Sequence, residues 1–464
     1  MTNASLIDSS AKRSFFGHPA GLGFLAFTEG WERFSFSGMQ ALLVLYMVNQ
    51  LLLPGHVEQV AGFATLRSVL ENIYGPLDPQ PLSSVIFGLY TSLVFFLPVF
   101  GGLLGDRRFG QRSMVTAGAL LMSCGHFLMA FERSFLLALL LLIVGCGCLK
   151  GNITTQVAGL YGDTDRRRTD AFQIFYLATN VGTILAPLVC GTLGELFGWH
   201  YGFGAAGVGM LIGLVIYLLG GDHLPANRRS VRPIERNAAT EPLLPADRRL
   251  LWVLVVVFFI TTCFLSAAGQ LGNVYSLWLK THVDRQVFAG VTIPVTWFQS
   301  ITPLATLLLT PLLLRYWRKQ ASRRREPMEL AKMTIGLTCV TTALLWLAVV
   351  TLIAGDSRAP WILLLPTHML TSVGFIYIYP VALALYARVA PPGGRAMLIG
   401  IFFLTSFVAS NLVGALGRYY PVMAPQSFWV LQASITAGAA IMALLLGSRL
   451  GKILPVAPDS SRAA

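Results

Sequence analysis

Four ionisable residues stand where charge is expensive. Glu29, Glu32 and Arg33 fall in TEGWERFSFSGMQALLVLYM, residues 28 to 47, within an apolar run that starts near Ala20. Lys150 falls in CLKGNI (148–153), within another apolar run. A charged side chain at the centre of a spanning helix costs about 2.5–3.5 kcal/mol on insertion, so an ionisable group there is a functional candidate by default. The four charges sum to zero. On a helix Glu29 and Arg33 are one turn apart on one face; Glu32 takes an adjoining face and Lys150 approaches from a second helix. Compensation explains how the charges are tolerated, and two readings explain why they are present. In the first they are a proton switch: a carboxylate beside a cation stays ionised, and one that is desolvated and loses its partner takes up a proton. If opening and closing of a cavity changes the pairing, protonation is tied to conformation. In the second they are a static salt-bridge network that fixes two helices together.

The elements that must position these groups are membrane helices. The chain of 464 residues is 55% hydrophobic and 12% charged, with mean hydropathy +0.66. Soluble domains carry about 25% charged residues, so three soluble domains, which the length alone would allow, are excluded. Twelve apolar segments are long enough to span, at about 20 residues each. They run roughly 21–52, 82–105, 113–131, 135–160, 170–193, 201–220, 250–279, 288–314, 330–354, 360–386, 396–417 and 427–448. The Pro- and Arg-rich stretch 221–249 divides them six and six. The expected class is an all-α membrane protein: an N-terminal six-helix bundle (1–220), a cytoplasmic linker (221–249) and a C-terminal six-helix bundle (250–464).

The net charge of +13 does not point to nucleic acid. Lys and Arg gather in DRRFGQR (106–112), DTDRRR (163–168), the linker and RYWRKQASRRR (315–325), all on one side by alternation. The opposite loops are poor in them, which places both termini in the cytoplasm. The first twenty residues do not resemble a cleaved signal peptide. The six cysteines show neither metal-ligand nor disulfide spacing. In GGLLGDRRFGQR (101–112), Gly101, Gly102 and Gly105 permit close helix packing. Asp106 and Arg112 can pair, or cap neighbouring helix ends, and so latch one conformation; a tight turn with solvated charges is the plainer reading.

Six plus six helices, a basic linker and this loop describe a major facilitator fold, and four stretches resemble one family within it, the proton-dependent oligopeptide transporters. EGWERFSFSG (29–38) is similar to the family's E-x-x-E-R-F-x-Y-Y-G, CLKGNI to its fourth-helix lysine motif, FQIFYLATNVGT (172–183) to its fifth-helix signature and IPVTWFQSITPL (293–304) to its eighth-helix stretch. They occur in the expected order, and the resemblance covers almost the whole chain. It implies that Glu29, Glu32 and Arg33 couple transport to protons. It also implies a substrate site drawing on Arg33, Lys150, Asn180, Ser37, Gln270, Asn273, Thr302, Phe375 and Phe402.

The departures bear on the substrate. The family's paired tyrosines are Phe36 and Ser37, its eighth-helix asparagine is Thr302, its eleventh-helix tryptophan is Phe402 and its tenth-helix glutamate is Phe375. In the family that glutamate and the lysine form an ionic clamp for the two ends of a peptide. Here the cations Arg33 and Lys150 remain for an anionic group, and the acid for an ammonium is gone. A buried unpaired charge is costly, so a mono-anion, an N-blocked peptide or a larger peptide-like metabolite fits better than an ordinary di- or tripeptide. Trp297, Tyr377 and Tyr379 can line a pocket or pack. His126 and His368 read as structural, and Pro303 and Pro380 as bends.

The resulting expectation is a proton-coupled symporter for small peptides or peptide-like, anionic solutes, multi-pass in the cell inner membrane. It needs no cofactor beyond the proton gradient and no nucleic acid; its partners are the solute, protons and the lipid bilayer, and it is a monomer. An exporter or uncoupled facilitator of specialised metabolites keeps the same fold, and a non-transporting membrane sensor is a third reading. No constellation for an enzyme stands out.

Overall fold

A computed structural model describes residues 15–450, apart from 163–164, 166, 226–247, 289, 324 and 392–394. Most of the expected linker therefore lies outside the described residues, as do the first fourteen residues and the last fourteen.

The described residues are helical almost throughout. The helices are α1 (Ala20–Tyr46), α2 (Phe63–Tyr74), α3 (Pro79–Leu104), α4 (Gln111–Leu128), α5 (Phe135–Gly159), α6 (Arg167–Thr192), α7 (Trp199–Leu219), α8 (Arg248–Gly269), α9 (Val274–His282), α10 (Ile301–Ser322), α11 (Glu329–Ala354), α12 (Leu365–Val389), α13 (Arg395–Gly417) and α14 (Pro425–Leu450). Ten of them, all but α1, α2, α4 and α9, are long and apolar enough to cross a membrane. α1 and α4 stand at the two remaining expected positions. α1 has the length, 27 residues, but carries Glu29, Glu32 and Arg33. α4 has 18 residues and includes Arg112, Ser113, Thr116, Ser123 and His126.

Two compact units emerge. One comprises Met1–Pro79, Leu93–Val231 and Pro294–Ser300; the other comprises Gln80–Ser92, Arg232–Ile293 and Ile301–Ala464. In the first, α1 packs along α6 and α7, and α4 along α5. The α1–α6 crossing is close because glycines face each other: a Cβ on Gly30 would stand 3.2 Å from the Ala178 carbonyl oxygen, and one on Gly182 would collide with the Gly30 carbonyl. Small residues at such crossings let backbones approach, which lipid alone does not drive. In the second unit, α11 packs on α12 and α14, and α8 on α13. A core of Tyr275, Trp278, Phe428 and Trp429 is wholly buried there.

Three local outcomes depart from the sequence reading. The expected segment 250–279 breaks into α8 and α9 through a 3-10 turn at Gln270–Gly272. The glycines on either side cost little to bend, and the side chains of the turn bond to α13 rather than continuing outward. The expected loop 53–81 contains the amphipathic α2, whose Arg67 Nε donates to Glu71 at 2.9 Å. The segment expected to begin at 288 starts instead with a short hairpin, β2 (Gln286–Phe288) to β3 (Val291–Thr292), and α10 begins only at Ile301. Two residue pairs, β1 (Val283–Asp284) beside β4 (Ala359–Pro360), complete the extended structure among the described residues.

Candidate functional site

The four charges of the first unit do converge, in an arrangement the spacing did not anticipate. Glu32 is wholly buried. The Arg33 guanidinium forks onto it, Nε to Oε2 at 2.5 Å and Nη2 to Oε1 at 2.5 Å. The expected partner one turn back, Glu29, is the looser contact, with its Oε1 3.9 Å from Arg33 Nε. Adjacent residues on a helix do not face each other. The long arginine stem overcomes this because a carboxylate without water needs two charge-assisted donors to offset its desolvation. The Glu32 carboxylate also has the Cys146 thiol of α5 at 3.9 Å. Glu29 is buried too, and its second oxygen has no hydrogen-bond partner among the described residues.

Lys150 reaches the cluster from α5 and is held by rings. Its Nζ is 4.9 Å from the centroid of Phe36 and 5.4 Å from that of Phe95. The Arg33 guanidinium lies 4.7 Å from the same Phe36 ring. Phe36 thus shares its π-system between two cations. Among the described residues Lys150 forms no ion pair within 4 Å. It is near enough to act electrostatically on both acids, yet no carboxylate occupies its ammonium.

Other residues of this unit are more committed. Asn180 is buried on α6 and its Nδ2 donates to the Tyr176 carbonyl one turn back, at 2.8 Å. Ser37 is half-buried on α1. In the glycine loop, Cβ atoms on Gly101 and Gly105 would strike the Gly147 carbonyl and the Asn152 side chain, whereas Gly102 faces open space. Asp106 accepts from Gln111 Nε2 at 2.9 Å. Arg112 donates to the Leu224 and Pro225 carbonyls, Nε to Pro225 at 2.8 Å, tying the start of α4 to the chain after α7.

Two residues passed over or discounted in the sequence belong in the description. His126 is wholly buried on α4, both ring nitrogens lack a partner among the described residues, and Glu32 acts on it electrostatically. Glu195, just beyond α6, has a capping role: its carboxylate accepts from the backbone N–H groups of Val295 and Thr296 and from Thr296 Oγ1, each at 2.8 Å. An anion at a helix start completes orphan donors and the local dipole. Trp297 Nε1 donates to Thr192 at 2.7 Å and Ser300 Oγ to the Ile184 carbonyl at 2.7 Å, so Pro294–Ser300 is fastened along α6.

In the second unit Phe375, for which the resemblance implies an acid, belongs to a group of stacked rings. Phe375 lies against Tyr379, centroids 5.3 Å apart and planes 18° apart, with Phe264 edge-on at 5.8 Å. Tyr379 meets Phe402 at 5.2 Å. Tyr377 is buried against Trp317 and belongs to packing. Thr302 Oγ1 is bonded to His368 Nδ1 at 2.8 Å, and the other ring nitrogen of His368 meets Tyr275 at 2.9 Å. Gln270 and Asn273 are wholly buried; Gln270 Nε2 donates to the Val413 carbonyl at 3.1 Å and Asn273 Oδ1 accepts from Ser84 Oγ at 3.0 Å. These two, with Thr302, spend their polarity on neighbouring helices. Pro380 lies within α12, whereas Pro303 sits in the first turn of α10, where a missing N–H is not needed.

With this geometry in hand, comparison with known proteins is decisive. The model described as PTR2, POT family, matches residues 112–244 and 231–430, well over half of the chain. The chain belongs to the POT family. It is 28% identical to the uncharacterized transporter YclF of Bacillus subtilis (strain 168), covering 88% of this chain and 90% of that protein. It is 27% identical to the peptide transporter YePEPT of Yersinia enterocolitica subsp. palearctica, covering 94% and 95%. A crystal structure of a peptide transporter POT in complex with sulfate shares 26% identity and a TM-score of 0.82, over 95% of this chain and 97% of that one. The expected family and its major facilitator type of fold are therefore correct, and its relatives are membrane transporters rather than enzymes.

Proposed function

We propose that this POT family member is a proton-coupled symporter with twelve spanning helices, α1 and α4 included, that imports N-blocked, peptide-like or other mono-anionic solutes across the cell inner membrane. The carrying observation is Lys150, a cation cradled by Phe36 and Phe95 with no carboxylate on its ammonium among the described residues. In a low-dielectric site such a charge attracts an anionic group strongly. The Phe375–Tyr379 stack of the second unit supports the same class: it gives an ammonium π-faces but no full countercharge. Arg33 is the second cation of the site and Asn180 a polar contact.

Glu32 carries the proton in this reading. While Arg33 forks onto it the carboxylate is ionised; when a substrate anion draws Arg33 away, the buried acid is left without a donor pair and takes up a proton. Glu29, already one oxygen short of partners, shares this role. Chemically no cofactor is required, since the gradient drives the cycle.

The test is proton movement in proteoliposomes with an internal pH dye and an inside-negative potential. N-acetyl-alanyl-alanine is expected to acidify the lumen, and Glu32→Gln to abolish the acidification while leaving the protein folded. Acidification by free alanyl-alanine but not by the acetylated compound would overturn the anionic class. Equal uptake of solute by wild type and Glu32→Gln would favour an uncoupled facilitator.

A further inference from the structure

The first unit contains a concave site away from the Glu32–Lys150 cluster, at the end where α1 finishes, α4 turns into α5 and α6 turns into α7. The basic-residue asymmetry assigns this end to the outer side. A cavity of about 380 Å³ is lined there by Tyr46, Phe131, Glu132, Arg133, Trp199 and His200, among others. Its size lies at the lower end of small-ligand sites.

The cavity is built around Glu132. Gln50 Nε2 donates to its Oε1 at 2.6 Å, and His56 Nδ1 lies 2.9 Å from each carboxylate oxygen. The Ala61 N–H donates to the Arg133 carbonyl at 3.1 Å, so the loop carrying His56 is laid against the α4–α5 corner. The carboxylate is thus oriented but only partly used, because each oxygen has two lone pairs. Aromatic rings line the same cavity: the Tyr46 and Trp199 centroids are 6.1 Å apart and tilted by 55°, and Tyr46 is braced by Phe203 at 5.2 Å. Arg133, exposed and next in sequence, lines the same space and brings a guanidinium to it. A fixed carboxylate among π-faces selects an ammonium, and a guanidinium beside it selects a carboxylate. The combination differs from the Lys150 cluster, where both cations stand over the Phe36 ring.

We propose that this cavity binds a small zwitterion, a free amino acid or dipeptide, with its ammonium on Glu132 between Tyr46 and Trp199 and its carboxylate on Arg133. It is a binding site separate from the Glu32–Lys150 cluster. Since N-acetylated compounds carry no ammonium, the two sites divide charged and blocked forms of one solute type between them.

Calorimetric titration of the purified full-length chain with alanyl-alanine tests this, using a Lys150→Gln background so that the other site is weakened. One saturable site is expected for the free dipeptide, weakened at least tenfold for its N-acetyl and C-amide forms. Glu132→Gln keeps the acceptor oxygen that Gln50 and His56 bond, so the loop tether survives while the charge goes; it is expected to lower affinity at least tenfold, as is Arg133→Gln. Trp199→Leu, which removes a ring and no charge, is expected to weaken binding less. Unchanged affinity in both charge variants, binding that Lys150→Gln alone abolishes, or no binding in any form overturns the proposal. Acidification by N-acetyl-alanyl-alanine in the Glu132→Gln protein reports on the transport reading separately.

Discussion

In the proposed function, individual residues carry the selectivity. The ring of Phe375, for which the sequence resemblance implies an acid in the family, stacks on Tyr379. Phe375→Glu is expected to admit free dipeptides: acidification driven by alanyl-alanine should rise about tenfold relative to the acetylated compound, equivalent to about 1.4 kcal/mol. No change in that ratio would remove Phe375 as the selectivity determinant. Glu195 is expected to matter for stability instead. Glu195→Ala strips two N–H groups and a hydroxyl of their shared acceptor, at a cost of about 1–3 kcal/mol, read as a lower melting temperature in detergent. The two cases also mark what sequence can reveal. Glu29, Glu32, Arg33 and Lys150 stand out because each is a charge in an apolar run. Glu195 sits at a span end, where acids are ordinary, and its partners lie a hundred residues away. That Arg33 turns to Glu32 rather than Glu29 depends on which acid loses more water, and spacing is silent on burial.

Elements were legible wherever composition alone decides them. The ten apolar helices each overlap one of the expected segments, because hydrocarbon requires long apolar helices whatever their neighbours. Boundaries set by tertiary bonds were not legible: the α8–α9 break needs Val413 and Ser84, far off in sequence, and α2 lies in a stretch whose exposed Val69 and Ile73 weaken any core-facing pattern. α2 yields a pH prediction. The Arg67 hydrogen bond, aided by the Leu77 N–H, holds the Glu71 carboxyl below the usual glutamate range. A depressed folded-state value stabilises above the ordinary value and is lost as pH falls through the lower one. Glu71 in the wild type should therefore titrate below its position in Arg67→Ala, followed by carbon-13 NMR of its side chain; coincident titrations would show the pair to be inconsequential.

At the scale of the molecule, the sequence divides six segments from six at 221–249, while the compact units divide otherwise. Pro294–Ser300 lies on the C-terminal side of that linker and yet counts with the first unit, clasped by Glu195, Thr192 and Ile184. This bears on cutting the chain. A gene split within the linker yields an N-terminal fragment whose Glu195 has nothing to cap and whose α6 lacks its cover. Neither fragment is then a finished product alone. Co-expressed fragments should restore acidification driven by N-acetyl-alanyl-alanine, and the N-terminal fragment by itself should be cleared by the cell's proteases. Full stability of that fragment alone would show the clasp to be dispensable. The chain is thus sewn across its own midpoint, and its natural halves are not the ones a restriction map would choose.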